Sequence, residues 1–461
     1  MTVLDTAPTP VRPGAVTWIR QRLFPTKASG IMTVILVPIL IYLAYRAILF
    51  VGVNGRWEVV SRNLTLFMQG TFPRDEQWRI VVQLVFLSLA LGVGASTAGA
   101  AAADRAREAG LPVVKQTLSQ IVRRFWPIGL FVLILLYFAS TVTPWLVVAG
   151  ALVAAGLGTT ARFIPTRLRN LGWVLMTLLI VAGFQVVSGT TGRSWMMSAL
   201  LVALGVLIAF PLDGLAPRVR AAARIGLAFA AAGVVFGIYT LIPLPGIGWD
   251  RWSGLMLTLW VSALAIILSF PLGLLLALAR RSTLPALRTL ATGYIELIRG
   301  VPLITLLFMG QYILPFALPP GSNLSSISRA IAAMTLFTAA YVAEIVRGGL
   351  QSLPRGQTEA AQALGLSPSK AMRLIVLPQA LRAVIPAMVG QFISIFKDSS
   401  LLYILAINEF LGVRSLVHAQ ADFRSIAHAE TLVFVAFGYW AFAYSMSRES
   451  QRLERRLRVG L

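Results

Sequence analysis

Five ionisable residues stand out inside long apolar stretches in the second half of this 461-residue chain: Glu296, Arg299, Glu344, Lys397 and Asp398. In hydrocarbon each costs about 2.5–3.5 kcal/mol on insertion scales, so such groups are retained for pairing, gating or contact with a polar ligand. Glu296 and Arg299 are three apart, the spacing that puts two side chains on one helix face. Glu344 shares a face with Tyr341 and Gly348. Lys397 and Asp398 are adjacent, so on a helix their side chains diverge by about 100°. Gln391, Ser394 and Asp398 recur at helical spacing as a polar stripe, and Gln311 near the end of another apolar stretch is a further polar candidate. Other chemistry is thinly provided. Without cysteine there is no thiolate, disulfide or thiol–metal chemistry. His418 and His428, the only histidines, read as solvated loop residues rather than metal ligands. A G-x-x-x-x-G-K-[ST] phosphate loop is missing, because Lys27, Lys115, Lys370 and Lys397 follow Thr, Val, Ser and Phe. No catalytic residue, metal or cofactor is expected in this chain.

The elements that carry these charges are helices in lipid. The chain is 57% hydrophobic and 12% charged, against about a quarter charged in soluble domains. A spanning helix needs about 20 mainly apolar residues. Twelve stretches come near that: 31–52, 80–103, 125–143, 145–161, 171–188, 195–211, 225–242, 254–279, 293–316, 330–352, 384–406 and 431–447. They lack the period-two alternation of a lipid barrel, so an all-α polytopic membrane protein is expected. The net charge of +23 invites a nucleic-acid reading, but the basic residues are placed for another purpose. Counted from a cytoplasmic N-terminus, alternate loops carry roughly three basic residues for each one on the opposite loops, the positive-inside pattern. Residues 1–27 then read as a cytoplasmic tail without a cleavage site, and the C-terminus is cytoplasmic as well.

Organisation changes near residue 245. Before it, 91–103, 149–158 and 221–233 are dominated by Ala and Gly, which suits close helix packing in lipid. The Pro- and Gly-rich cluster 241–248 would stop any helix. The expected division is therefore 1–245, a tail with about seven additional spans, and 246–461, a core of five. Between the third and fourth core spans, 353–383 has explicit local grammar. Pro354 and Gly356 stop one helix, Thr358 caps the next, and Glu359 in its first turn suits the helix dipole. Gly365 closes that helix in a left-handed cap. Ser367 caps a second helix with Pro368 at its first position, and Pro378 interrupts before the following span. A compact helix–turn–helix over 358–377 results, with Ala360, Ala361, Ala363, Leu364 and Leu366 offering an apolar face to a partner.

These residues carry a resemblance. Glu359-Ala360-Ala361, then Gly365, Ile375 and Leu377-Pro378 at their spacing resemble the signature of permease subunits of bacterial ABC importers. Tyr341 to Gly349, Pro354-Arg355-Gly356-Gln357, Leu377 to Arg382, Glu296 to Leu303 and Lys397 to Leu401 resemble the polar amino-acid uptake branch. Trp18-Ile19-Arg20, Asn63 to Phe67 and Gln77 to Ile80 are similar to the larger permeases of general L-amino-acid importers. The resemblance implies a five-helix permease core preceded by extra spans in the bacterial inner membrane, paired with a homologous second permease. It also implies two ATPase subunits that bind ATP and Mg, and a periplasmic amino-acid-binding protein. The helix with Glu359, Ala360, Ala361 and Gly365, flanked by Arg355 and Gln357, would fit a groove on the ATPase. Glu344 would accept a substrate ammonium group or pair with Arg347 or Lys397, and Glu296 with Arg299 would form a structural or gating pair. An ion-driven secondary transporter is the first rival, but paired broken helices in two related halves are not seen. A membrane-embedded enzyme is the second, and its clustered acids and histidines are not seen either.

Overall fold

Hydrocarbon offers no hydrogen bonds, so an apolar run must satisfy its backbone internally, and a helix does this within one segment. The computed structural model describes residues 14–108, 171–189, 246–319, 324–424 and 426–458, with scattered positions between 110 and 233. Five helices there are long and apolar enough to cross a membrane: Lys27–Asn54, Arg74–Ala101, Gly254–Arg280, Ser326–Ser352 and Pro368–Leu405. They fall on the expected spans 31–52, 80–103, 254–279, 330–352 and 384–406. Expected span 171–188 is the shorter apolar helix Leu171–Ser188. The expected spans 125–143, 145–161, 195–211 and 225–242 lie, apart from those scattered positions, outside the described residues, as do residues 1–13 and 241–245.

Three elements differ from expectation. The stretch 293–316 is not one straight span but two helices, Pro285–Gly300 and Leu303–Ala317, bent by 106°. Gly300-Val301-Pro302 is the cause: Pro302 disfavours helical backbone at Val301, which is extended at φ −109° and ψ 136°. The span expected to begin at 384 starts much earlier, because Pro368–Leu405 is continuous. Pro378 does not interrupt it. The wide π turn Met372–Val376 precedes it, and Pro378 sits in the first turn of Leu377–Asp398, where its missing N–H is tolerated. Expected span 431–447 forms as part of His428–Arg458, but Tyr439, Trp440, Tyr444 and several serines dilute its apolar run below that of the other spans.

Packing divides the chain after Glu58. In the first unit Thr26 and Ser29 form a reciprocal capping box that starts helix Lys27–Leu49, none of whose residues is buried. Arg46 lies over the Tyr42 ring within it. In the second unit, 59–461, one apolar cluster joins Phe72, Ile80, Phe184 and Val187 to Trp252, Trp260, Leu264, Leu307 and Met334. Residues on both sides of position 245 thus share one core. A second cluster joins Ala277, Ile295, Val342, Val346, Val376 and Val384. Small residues bring its helices close. A Cβ on Gly273 would lie 2.6 Å from the Cβ of Val342 and 2.7 Å from the carbonyl oxygen of Ala339, so only glycine fits this crossing.

Candidate functional site

Between Ser352 and the next span the chain forms a knuckle. Its first helix is Gly356–Ala363, with Arg355 at the N-cap and no side-chain cap. Thr358 is therefore not the cap. Backbone bonds from Gln357 to Pro354 and from Thr358 to Arg355 have already begun the turn. The helix ends as its sequence requires. Gly365 has φ +77°; its N–H donates to the carbonyl of Gln362, and that of Leu366 to the carbonyl of Ala361. This pair of bonds is the Schellman motif, which needs a left-handed residue and hence glycine. Ser367 and Pro368 start the second helix, the serine without a side-chain bond. Gln379 donates to Gln357 at 3.0 Å and ties the knuckle to the long helix. Ala361 alone in Gly356–Ala363 is buried; Glu359 and Ala360 are exposed. Leu364 is 83% exposed. The knuckle thus presents bare Ala360 and Leu364 on its surface.

Beyond the root of the knuckle lies a charged cluster. Glu344 accepts from Arg347 through both its oxygens, at 2.9 Å for the Nε donor. It also accepts from Arg280 at 3.2 Å, and Arg299 stands 3.6 Å away. Arg280 reaches Glu296 at 2.8 Å with its other terminal nitrogen. Glu296 and Arg299 are thus directed to different partners rather than to each other: Arg299 lies near Glu344 and over the ring of Tyr341, 5.6 Å from its centroid. Arg347 donates further to Gln351 at 2.6 Å.

The remaining polar candidates stand apart from this cluster. Gln391, Ser394 and Asp398 are half-buried on one helix and Lys397 is exposed. Ser394 donates to Asp398 at 3.3 Å. Gln311 accepts from Arg329 at 3.4 Å.

Glu409, which drew no attention as sequence, is the most enclosed acid among the described residues. It is completely buried. It accepts from Tyr439 at 2.6 Å, from the amides of Leu411 at 2.9 Å and Gly412 at 2.7 Å, and from Thr258 at 3.3 Å. Burial pushes its carboxyl above the ordinary range, and those four donors pull it back. The carboxylate pins the start of Gly254–Arg280 to the connection before His428–Arg458. A weak signal existed: an acid between Ala406-Ile407 and Phe410-Leu411 with no charged neighbour.

His418 and His428 are also not the freely solvated residues expected. Their rings stack at 3.9 Å. The carbonyl of Phe423, 3.2 Å from Nδ1, can only accept, so neutral His418 donates there; its Nε2 lies 3.0 Å from the Thr431 hydroxyl, which itself donates to the carbonyl of His428. Burial pushes the His418 imidazole down from the ordinary 6.5; the Phe423 bond raises it, and His428 and Arg414 lower it. A base with a depressed folded value contributes stability that is complete above 6.5 and fades as pH falls through that region. The thermal midpoint of the solubilised protein is therefore expected to drop between about pH 7.5 and 5, and His418→Gln should flatten the drop. An unchanged pH slope in that variant would remove this account. Among the described residues no three His, Cys, Asp or Glu gather as metal ligands.

Comparison with known proteins adds the following. Residues 269–459 match the family model of the binding-protein-dependent transport system inner membrane component. The chain is 40% identical over 302 residues to the glutamate/glutamine/aspartate/asparagine transport system permease protein BztC of Rhodobacter capsulatus, covering 63% of this chain and 68% of that one. That match is longer than 246–461, so it reaches into the first half. It is 46% identical to the inner membrane amino-acid ABC transporter permease protein YhdY of Escherichia coli K12, over 46% of this chain and 57% of the relative. Among solved structures, an amino acid ABC transporter crystallised with histidines is 30% identical over 44% of this chain and 92% of that one, with a TM-score of 0.41.

Proposed function

Because the chain belongs to the family of inner-membrane components of binding-protein-dependent transport systems, we propose that it is the permease subunit of an ATP-binding-cassette importer that moves polar L-amino acids across the bacterial inner membrane. The exposed knuckle at Gly356–Ala363 carries this reading, because its bare Leu364 and left-handed Gly365 suit a close-fitting partner. That partner is an ATPase subunit on the cytoplasmic side, one of two, which holds ATP and Mg and hydrolyses the nucleotide. This chain is the non-catalytic member. A homologous second permease completes the pore and a periplasmic binding protein supplies the amino acid; both termini are cytoplasmic.

Within the chain, 246–461 is the translocating core and 1–245 an accessory extension. Glu359, Ala360, Ala361 and Gly365, with Arg355 and Gln357, form the coupling surface. Gln391, Ser394, Asp398 and Lys397 with Gln311 are the polar lining over which substrate passes. Tyr341, Glu344 and Arg299 stand nearer the knuckle, where arginines already occupy Glu344, which favours gating there over direct contact with an ammonium group. ATPase closure pushes the knuckle and rocks the core between its two openings.

The test is uptake of a labelled amino acid by proteoliposomes that contain the co-purified complex. Uptake is expected to require ATP on the knuckle side and loaded binding protein on the other, and to survive an uncoupler of the proton gradient. Uptake that follows an ion gradient without ATP would establish the rival instead.

A further inference from the structure

We propose that Arg280 is a positioning residue, the bolt of a salt-bridge latch that the transport cycle opens and recloses. The proposal rests on the functional reading above for the force that opens it. Arg280 ends the helix Gly254–Arg280. One of its terminal nitrogens reaches Glu296 on Pro285–Gly300, 16 positions away. The other reaches Glu344 on Ser326–Ser352, 64 positions away. A single guanidinium thus joins three helices at one level, a use for which its planar, two-armed geometry is suited. Arg299 and Arg347 supply further positive charge around Glu344.

Two observations make this a latch rather than a permanent staple. The bridging groups are only partly enclosed by this chain, with side-chain exposures of 22% for Arg280, 21% for Glu344 and 61% for Glu296. Bridges in such surroundings are weak enough to break and remake, unlike fully buried pairs. The cluster is also wired to the knuckle. Glu344 holds Arg347, which donates to Gln351 in the last turn before the chain leaves for Pro354 and the exposed helix. A shift at the knuckle root therefore reaches Glu344 through adjoining side chains, and Arg280 is the group it must release.

The experiment uses the complete complex, with its ATPase and binding protein, in lipid nanodiscs, and measures ATP hydrolysis with and without loaded binding protein. First, the wild-type complex must hold a partner ATPase; a complex without one overturns the functional reading itself, whatever Arg280 does. Given that, Arg280→Gln is expected to raise the unstimulated rate about tenfold and so to lower the stimulation ratio, while uptake falls. Arg280→Lys keeps a cation between the carboxylates and should hold the ratio within about twofold of wild type. A structural staple behaves otherwise: both rates fall together and the ratio stands, and that result overturns the proposal. Glu296→Gln, at an exposed position, severs one arm and guards against an Arg280 variant that does not assemble. It should raise the unstimulated rate about threefold, and no rise there overturns the latch as well.

Discussion

Arginine in place of Gly365 is expected to lower uptake by about a hundredfold or more while the protein still reaches the membrane in normal amounts. The local backbone argues the first half. Gly365 sits at φ +77°, where an L-residue costs about 1–2 kcal/mol, and this strain bears on the two bonds that finish the helix. A long cation would then project from the surface that the ATPase must cover. The surroundings argue the second half. A Cβ there meets nothing within 4 Å, so the fold itself does not clash with the new side chain. Gly365→Ala separates the two contributions: it brings the strain without the bulk and should retain much of the uptake. Co-purification of the ATPase, measured beside uptake, reports whether docking is lost. Normal uptake by the arginine variant would remove the coupling role from this knuckle.

Glu409→Ala should be the most destabilising single change in the core, by about 3–5 kcal/mol, since each buried donor left without an acceptor costs about 1–3 kcal/mol. The hydroxyl of Tyr439 and the amides of Leu411 and Gly412 all lose their partner. Glu409→Gln keeps the shape and one carbonyl acceptor, so its cost should be about half as large. Thermal midpoints of the detergent-solubilised protein, followed by size-exclusion recovery, decide the matter. Alanine and glutamine variants that melt together with wild type would show that the four donors find other acceptors.

What the sequence made legible and what it hid divide along a physical line. The five long apolar helices were legible because apolar length is a local property, and the end of the knuckle helix was legible because Gly365 and Pro368 act on their own backbone. The helix cap was misplaced by three residues, since Thr358 has the right chemistry for a cap but Pro354 and Arg355 had already turned the chain. Gly300-Val301-Pro302 was in plain view, yet the apolar run on both sides concealed the bend. Long-range pairing was not legible at all. Nothing near Arg280 points to Glu344, and nothing near Glu409 points to Thr258, 151 positions earlier, or Tyr439, 30 positions later. The two histidines were read as solvated because stacking depends on a loop that folds back, which no short spacing records.

The continuous helix Pro368–Leu405 has 38 residues, roughly 57 Å at 1.5 Å per residue. A rod of that length behaves as a lever, and Pro386 within it is the point where its ladder of backbone bonds is interrupted. Movement at its surface end reaches Ser394 and Asp398 as tilt or rotation by way of the Pro386 turn. The wide turn Met372–Val376 holds slack of one residue; if drawn taut, it would screw the distal segment round by about 100° and advance it by about 1.5 Å.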